Sequence, residues 1–219
     1  MRRHRSSPRP DRPVDEDSRR QILAAVSLLV GYPDHELLGE LPVLTRVASG
    51  LPAPARQALE RFLAYLATTP VGQAGATYVD TFDLRRRCCL YLTYYLFGDT
   101  RRRGNALLRF SHAYRTAGLE PPRTELPDHL GVVCNFAAIV PDRGVELLVE
   151  HQAGIELLRQ SLHDARSPYV DVVDALCTVL PEPTETDLAR ALDLARRGPP
   201  AEEVGLEPFA PPEYMGGRR

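Results

Sequence analysis

The chain has 219 residues, 43% of them apolar and 26% charged, which is the make-up of one globular, soluble domain with a core of its own. Its 27 basic and 29 acidic side chains leave a formal net charge of -2, so no global field draws it to nucleic acid or anionic lipid, and electrostatic recognition must be local. No lysine occurs, so the basic side chains are guanidiniums, suited to forked pairing with carboxylate or phosphate.

The N-terminal stretch MRRHRSSPRPDRPVDED is basic and proline-rich and lacks the apolar core of a signal peptide. Residues 1–16 therefore read as a disordered tail. Nowhere do apolar residues run for the roughly 18 positions that a bilayer span requires. Cys88, Cys89, Cys134 and Cys177 lack the paired spacing of a disulfide framework or a zinc site, which points to a reducing compartment and to cysteines acting as small buried hydrophobes.

Past the tail, Asp17 or Ser18 is placed to cap a first helix, in which Ile22, Leu23, Val26, Leu29 and Val30 recur at helical spacing until Gly31–Pro33. Asp34 opens a short piece that Pro42 interrupts, and a third helix runs from about Pro54 to Ala67. A short helix through Tyr78 to Phe82 precedes RRRCCLYLTYYLFGDTRRRG, Arg85 to Gly104, which reads as a helix to Phe97, a stop at Gly98–Thr100 and a new helix from Arg101 to Ala117. Asp128 is placed to cap a helix through Val140. Asp142 opens another whose buried stripe runs from Val145 to Leu162, and a shorter helix follows Pro168. Thr184 and Asp187 form a capping-box pattern for a last helix that Gly198 ends. The reading is all-α: a single bundle of about eight to ten helices over 17–198, followed by a flexible Pro/Gly-rich tail over 199–219.

The two arginine triplets stand, on this reading, at or near helix N-termini, where the macrodipole disfavours cations. Asp80 and Asp83 are placed to compensate the first triplet and Asp99 the second. The alternative is that the exposed helix start and its guanidiniums bind a phosphate-bearing ligand. A helix of about fourteen residues is roughly 20 Å long, so the triplets lie at opposite ends of an antiparallel pair, too far apart for one basic patch. The same geometry returns TELPDHL, Thr124 to Leu130, to the level of Arg85–Arg87. Asp80, Asp83, Asp128 and His129 then form an acidic mouth suited to a cationic peptide, unless Asp128 is only a cap and His129 only a first-turn surface residue.

At these residues the sequence resembles the nitrate reductase molybdenum cofactor assembly chaperones, the NarJ family, within the wider group of redox enzyme maturation chaperones that includes TorD and DmsD. The likeness is carried by YVDTFDLRRRCCLYLTYYLFGDTRRRG, ALLRFSHAYRTAGLE and ELPDHL, with support from LLVGYPDHELL and the last helix. The wider group's motif, Glu or Gln, Pro, any residue, Asp, His, is present in Pro127, Asp128 and His129 but departs between Glu125 and Leu126. What the resemblance implies is a non-enzymatic cytoplasmic chaperone for the catalytic (alpha) subunit of respiratory nitrate reductase, gripped at its N-terminal segment during molybdenum cofactor insertion. Asp128 and His129 carry over as peptide contacts, and Asp80 and Asp83 join them on charge. Arg86 and Arg87 are the candidates for a transient contact with molybdopterin guanine dinucleotide. No cofactor of its own, no nucleic acid and no membrane insertion are expected. The competing readings are a helical metal-dependent enzyme, although E-x-x-H is absent, and a helical nucleic-acid-binding regulator that uses the triplets.

Overall fold

The computed structural model describes residues 14–121 and 124–198. The expectations for 1–13 and for the tail from 199 onward fall outside the described residues. Among those described there are twelve α-helices, ten of them at least seven residues long, and no strand: α1 (Glu16–Leu29), α2 (His35–Gly39), α3 (Leu41–Ser49), α4 (Ala53–Thr68), α5 (Val71–Tyr78), α6 (Leu92–Phe97), α7 (Arg101–Thr116), α8 (Leu130–Ile139), α9 (Pro141–Glu150), α10 (Gln152–Asp164), α11 (Val170–Cys177) and α12 (Glu185–Arg197). The fold is all-α, as the periodicity requires, with more and shorter helices than expected.

The core forms where α1 lies between α8 and α11. Ile22, Leu23 and Val26 of α1 and Leu130, Val133, Cys134 and Ala137 of α8 have no exposed surface. On the far side α4 packs on α11, α3 on α4, α9 on α8, and α10 carries α12. The first helix starts earlier than expected: Asp15, not Asp17 or Ser18, is the cap, its carboxylate accepting from Ser18 N and Ser18 Oγ, both at 2.8 Å. Pro42 does not interrupt a helix but stands in the first turn of α3, where its missing N–H costs nothing. The stripe from Val145 to Leu162 belongs to two helices that part at His151, and Asp142 is a first-turn residue behind Pro141 rather than a cap.

The largest departure is in residues 85–97. They do not form one helix of about fourteen residues: Arg86–Cys88 is a 3-10 turn, Cys89 to Tyr91 is extended, and only Leu92–Phe97 is α-helical. The cause is backbone pairing across the chain. Leu92 N donates to Asp128 O at 3.0 Å and Leu130 N donates to Leu90 O at 2.8 Å, so Tyr91 and His129 form an isolated antiparallel bridge. Burial follows period two here, with Cys88, Leu90 and Leu92 inside and Cys89 and Tyr91 half-buried. Tyr95 donates its hydroxyl to the Cys89 carbonyl at 2.7 Å, which supplies an acceptor bond that a helix would have made internally. The first triplet therefore does not start a helix. The second does, since Gly98 takes φ +56° to end α6 and Arg101 begins α7.

Candidate functional site

Pairing of residues 90–92 with 128–130 sorts the side chains of ELPDHL by direction. Asp128 turns inward, His129 caps α8 and Glu125 turns to the surface beside Tyr91. The Tyr91 hydroxyl donates to Glu125 Oε1 at 2.9 Å, and the same oxygen accepts from Leu126 N at 2.9 Å. The Tyr91 ring meets the His129 ring edge-on at 5.4 Å, and the Arg103 guanidinium carbon lies 5.3 Å from the Tyr91 ring centre.

A second aromatic belongs to the same surface. Tyr78, at the end of α5, has its phenol pushed up to about 12, chiefly by burial and further by the carboxylates of Asp83 and Glu125. Asp83 reaches it because Val79–Asp83 continues α5 as a π-helical turn, closed by Leu84 N donating to Val79 O at 3.1 Å. The Tyr78 ring meets Tyr32 edge-on at 5.4 Å, and Tyr32 is 53% exposed. Tyr32 and Tyr78 with Asp83, and Tyr91 with Glu125, thus set aromatic rings and carboxylates within electrostatic reach of one another, with Leu126 exposed next to Glu125. Carboxylates and electron-rich ring faces together receive guanidinium or ammonium groups, and the rings also receive apolar side chains.

The residues expected from sequence are not all at this surface. Asp83 is exposed on it, and His129 borders it through Tyr91. Asp80 is exposed, but its carboxylate is held by Arg85 Nη2 at 2.9 Å. Arg86 and Arg87 are exposed and form no ion pair among the described residues, so the expected Asp83–Arg87 compensation is not made. Asp128 departs most from expectation. It has no exposed surface, so as folded it offers nothing to a ligand, and it does not cap α8. Its Oδ2 accepts from Thr93 N at 3.1 Å and Thr93 Oγ1 at 2.6 Å, which caps α6 from another part of the chain. The arginine it meets is Arg103 of the second triplet, at 3.7 Å, and not one of the first. Arg103 also donates from Nε to Thr93 Oγ1 at 3.1 Å and faces Asp99 at 3.5 Å. Sequence reasoning passed over Tyr32, Tyr78 and Tyr91 as contacts, and met Glu125 only at the departure from the family motif.

The cap of α8 is His129 itself, whose Nδ1 accepts from Gly131 N at 3.2 Å, a bond that needs the neutral ring. Burial holds the imidazole below its ordinary value, against the opposing pull of Glu125 and Asp128, and burial lowers His151 as well. In the folded protein these rings bind a proton less readily than in the unfolded chain. The stabilisation they give is complete above the ordinary histidine range and is lost as pH falls through about 6.5 toward the folded values. The urea midpoint is expected to drop between about pH 7.5 and pH 5.5, and His129→Asn, which keeps a capping acceptor without titrating, should flatten part of that slope. An unchanged slope in His129→Asn would remove His129 from the effect.

Among the described residues no group of three or more His, Cys, Asp or Glu side chains is placed to hold a metal ion, and no helix is long and apolar enough to cross a membrane. Burial pushes the thiols of Cys88 and Cys89 up to about 11, which makes them poor nucleophiles near neutral pH.

The sequence profile of the nitrate reductase delta subunit family matches residues 48–175. The chain is 41% identical over 157 residues to the nitrate reductase-like protein NarX of Mycobacterium tuberculosis (strain ATCC 25618 / H37Rv), a match covering 71% of this chain but spanning only about a quarter, 24%, of NarX. It is 31% identical over 166 residues to a NarJ-named nitrate reductase molybdenum cofactor assembly chaperone of Bacillus subtilis (strain 168), covering 74% of this chain and 89% of that one. Against the NarJ chaperone of Escherichia coli (strain K12) the identity is 32% over 158 residues, covering 70% and 67%. A crystal structure of a redox enzyme maturation protein from Archaeoglobus fulgidus shares the fold, with a TM-score of 0.54 at 23% identity over 73% of this chain and 91% of that one. The profile match over more than half the chain, together with the near full-length likeness to the Bacillus protein, shows that the chain belongs to the nitrate reductase delta subunit family, together with the NarJ assembly chaperones.

Proposed function

We propose that this protein is a cytoplasmic, non-enzymatic chaperone that holds the catalytic (alpha) subunit of respiratory nitrate reductase by its N-terminal segment and keeps it competent for molybdenum cofactor insertion. Family membership supports the chaperone reading and leaves the metal-dependent enzyme and the nucleic-acid regulator without support. The observation that carries the peptide reading is the pairing of carboxylates with phenol rings at two neighbouring places, Glu125 with Tyr91 and Asp83 near the Tyr32–Tyr78 pair, with Glu125 near enough to raise the Tyr78 phenol as well. A peptide with arginines and apolar side chains would pair its cations with Asp83 and Glu125 and lay its apolar groups on the rings. His129 sets the face of Tyr91, and Asp80 adds negative charge at the edge to the extent that Arg85 releases it. Arg86 and Arg87, exposed and without a carboxylate partner among the described residues, are the groups we assign to transient contact with molybdopterin guanine dinucleotide once the client is held. Affinity must stay modest, because ordering a peptide costs free energy and a chaperone has to release.

Calorimetry with a synthetic peptide of the nitrate reductase alpha-subunit N-terminus tests the first half. Glu125→Gln and Asp83→Asn are each expected to weaken binding by about 1 kcal/mol, a charge-assisted bond at a partly exposed site, with little change in melting temperature. Arg86→Ala with Arg87→Ala should leave that affinity intact and lower nitrate reductase activity in complemented cells. Unchanged peptide affinity in both carboxylate variants would place the peptide elsewhere. Normal reductase activity in the arginine variant would remove the cofactor role.

A further inference from the structure

Away from the aromatic and acidic surface, a cleft of about 660 Å³ opens between α7, α9 and α12. Phe97, Phe110 and Leu147 form its apolar floor, and Arg102, Arg109 and Arg190 line it from α7 and α12. Arg109 is neutralised by Glu150, to whose carboxylate it donates at 2.9 and 3.0 Å. Arg102 and Arg190 are exposed and form no ion pair among the described residues. The cleft therefore combines apolar depth with an uncompensated positive rim, the opposite sign from the first surface. It fits an acidic, apolar segment and not a cationic one.

The chain carries such a segment immediately after α12. Residues 201–209, AEEVGLEPF, hold three carboxylates, Glu202, Glu203 and Glu207, interleaved with Val204, Leu206 and Phe209, and no basic side chain. We propose that this segment is the occupant of the cleft, its glutamates on Arg102 and Arg190 and its apolar side chains on the floor. Reach permits it. Gly198, at φ +75°, ends α12 eight residues after Arg190, which is about 12 Å along a helix axis. Four residues at up to about 3.3 Å each span that distance, which is enough for Glu202 and Glu203 to reach the level of Arg190. Because the segment is tethered, its local concentration is on the order of millimolar, so a contact too weak to hold a free peptide still fills the cleft. Occupancy of the cleft would weaken as salt screens the ion pairs.

The protein contains no tryptophan, so Phe209→Trp in the full chain is an unambiguous reporter. Its emission is expected to be blue-shifted and several times less quenched by iodide than free tryptophan, to be independent of protein concentration, and to move toward the solvent value in concentrated salt. Arg102→Glu with Arg190→Glu should release the reporter, and adding Glu202→Arg with Glu203→Arg should restore its protection. Solvent-like emission in the Phe209→Trp chain overturns the proposal. So does protection that survives Arg102→Glu with Arg190→Glu, which means docking elsewhere, and so does protection lost on dilution, which makes a second copy the occupant.

Discussion

Gly144→Ala is expected to remove a large share of the stability of this protein. A β-carbon at Gly144 would overlap Ala137 Cα and stand 2.5 Å from Ala137 Cβ and 2.6 Å from Ala137 N, so the collision is with the backbone of α8 and no rotamer relieves it. Nor can α8 readily retreat, because it is also packed closely on α1: a β-carbon at Gly131 would lie 2.9 Å from the Ser27 carbonyl. Forcing extra volume into a packed core costs about 1 to 3 kcal/mol where side chains can adjust, and the upper end or more is expected where two helices must part. A loss of about 3 kcal/mol takes a large share of a typical domain's stability and lowers the melting temperature by roughly 6–12 °C at this chain length. Peptide binding should fall with it, since α8 carries His129 and fixes the segment that presents Glu125. Gly104→Ala is the control. Gly104 lies inside α7 with open space around it, so alanine there should stabilise by about 1 kcal/mol. A Gly144→Ala protein that melts with the unsubstituted one would mean that α8 and α9 do not approach so closely.

Several helix ends were legible from local chemistry, although the local caps at Asp15 and His129 were not. The capping box of Thr184 and Asp187 forms as written, Asp34 caps α2, and Gly118 and Gly198 take the positive φ that ends α7 and α12. Residues 88–92 were not legible, because a stretch that is apolar at nearly every position satisfies a helical and an extended period equally well. What decides between them is pairing with Asp128 and Leu130, some 38 residues on, which no local pattern announces. Asp128 shows the same limit from another side. Capping was the alternative to the peptide contact expected of it, and the helix it caps is α6 rather than the one it precedes. The candidate surface suffered for the same reason: Tyr32 lies in the loop between α1 and α2 while Tyr78 ends α5, and the Glu125 carboxylate is held by Tyr91 from another part of the chain.

The burial of Asp128 reverses what its substitution should do. An exposed carboxylate gripping a peptide could become asparagine with little effect on folding and a marked loss of affinity. Here the carboxylate has no exposed surface, takes two hydrogen bonds from Thr93 at the start of α6 and faces an arginine that is itself only 17% exposed. Asp128→Ala removes the cap and leaves Arg103 nearly buried beside Asp99 alone, and breaking a buried pair in this way costs about 3 to 5 kcal/mol. Asp128→Asn keeps an acceptor for Thr93 and loses only the charge, so about 1 to 3 kcal/mol is expected. Arg103→Met strands the carboxylate instead, and the double variant Asp128→Asn with Arg103→Met should be less unstable than the two single losses added together, because the two groups answer each other. Peptide affinity, measured well below the melting temperature, should remain near normal in Asp128→Asn while it falls in Glu125→Gln. The opposite pattern, an unshifted melting temperature with weakened peptide binding, would mean that Asp128 turns outward to the ligand and that α6 is held by something else.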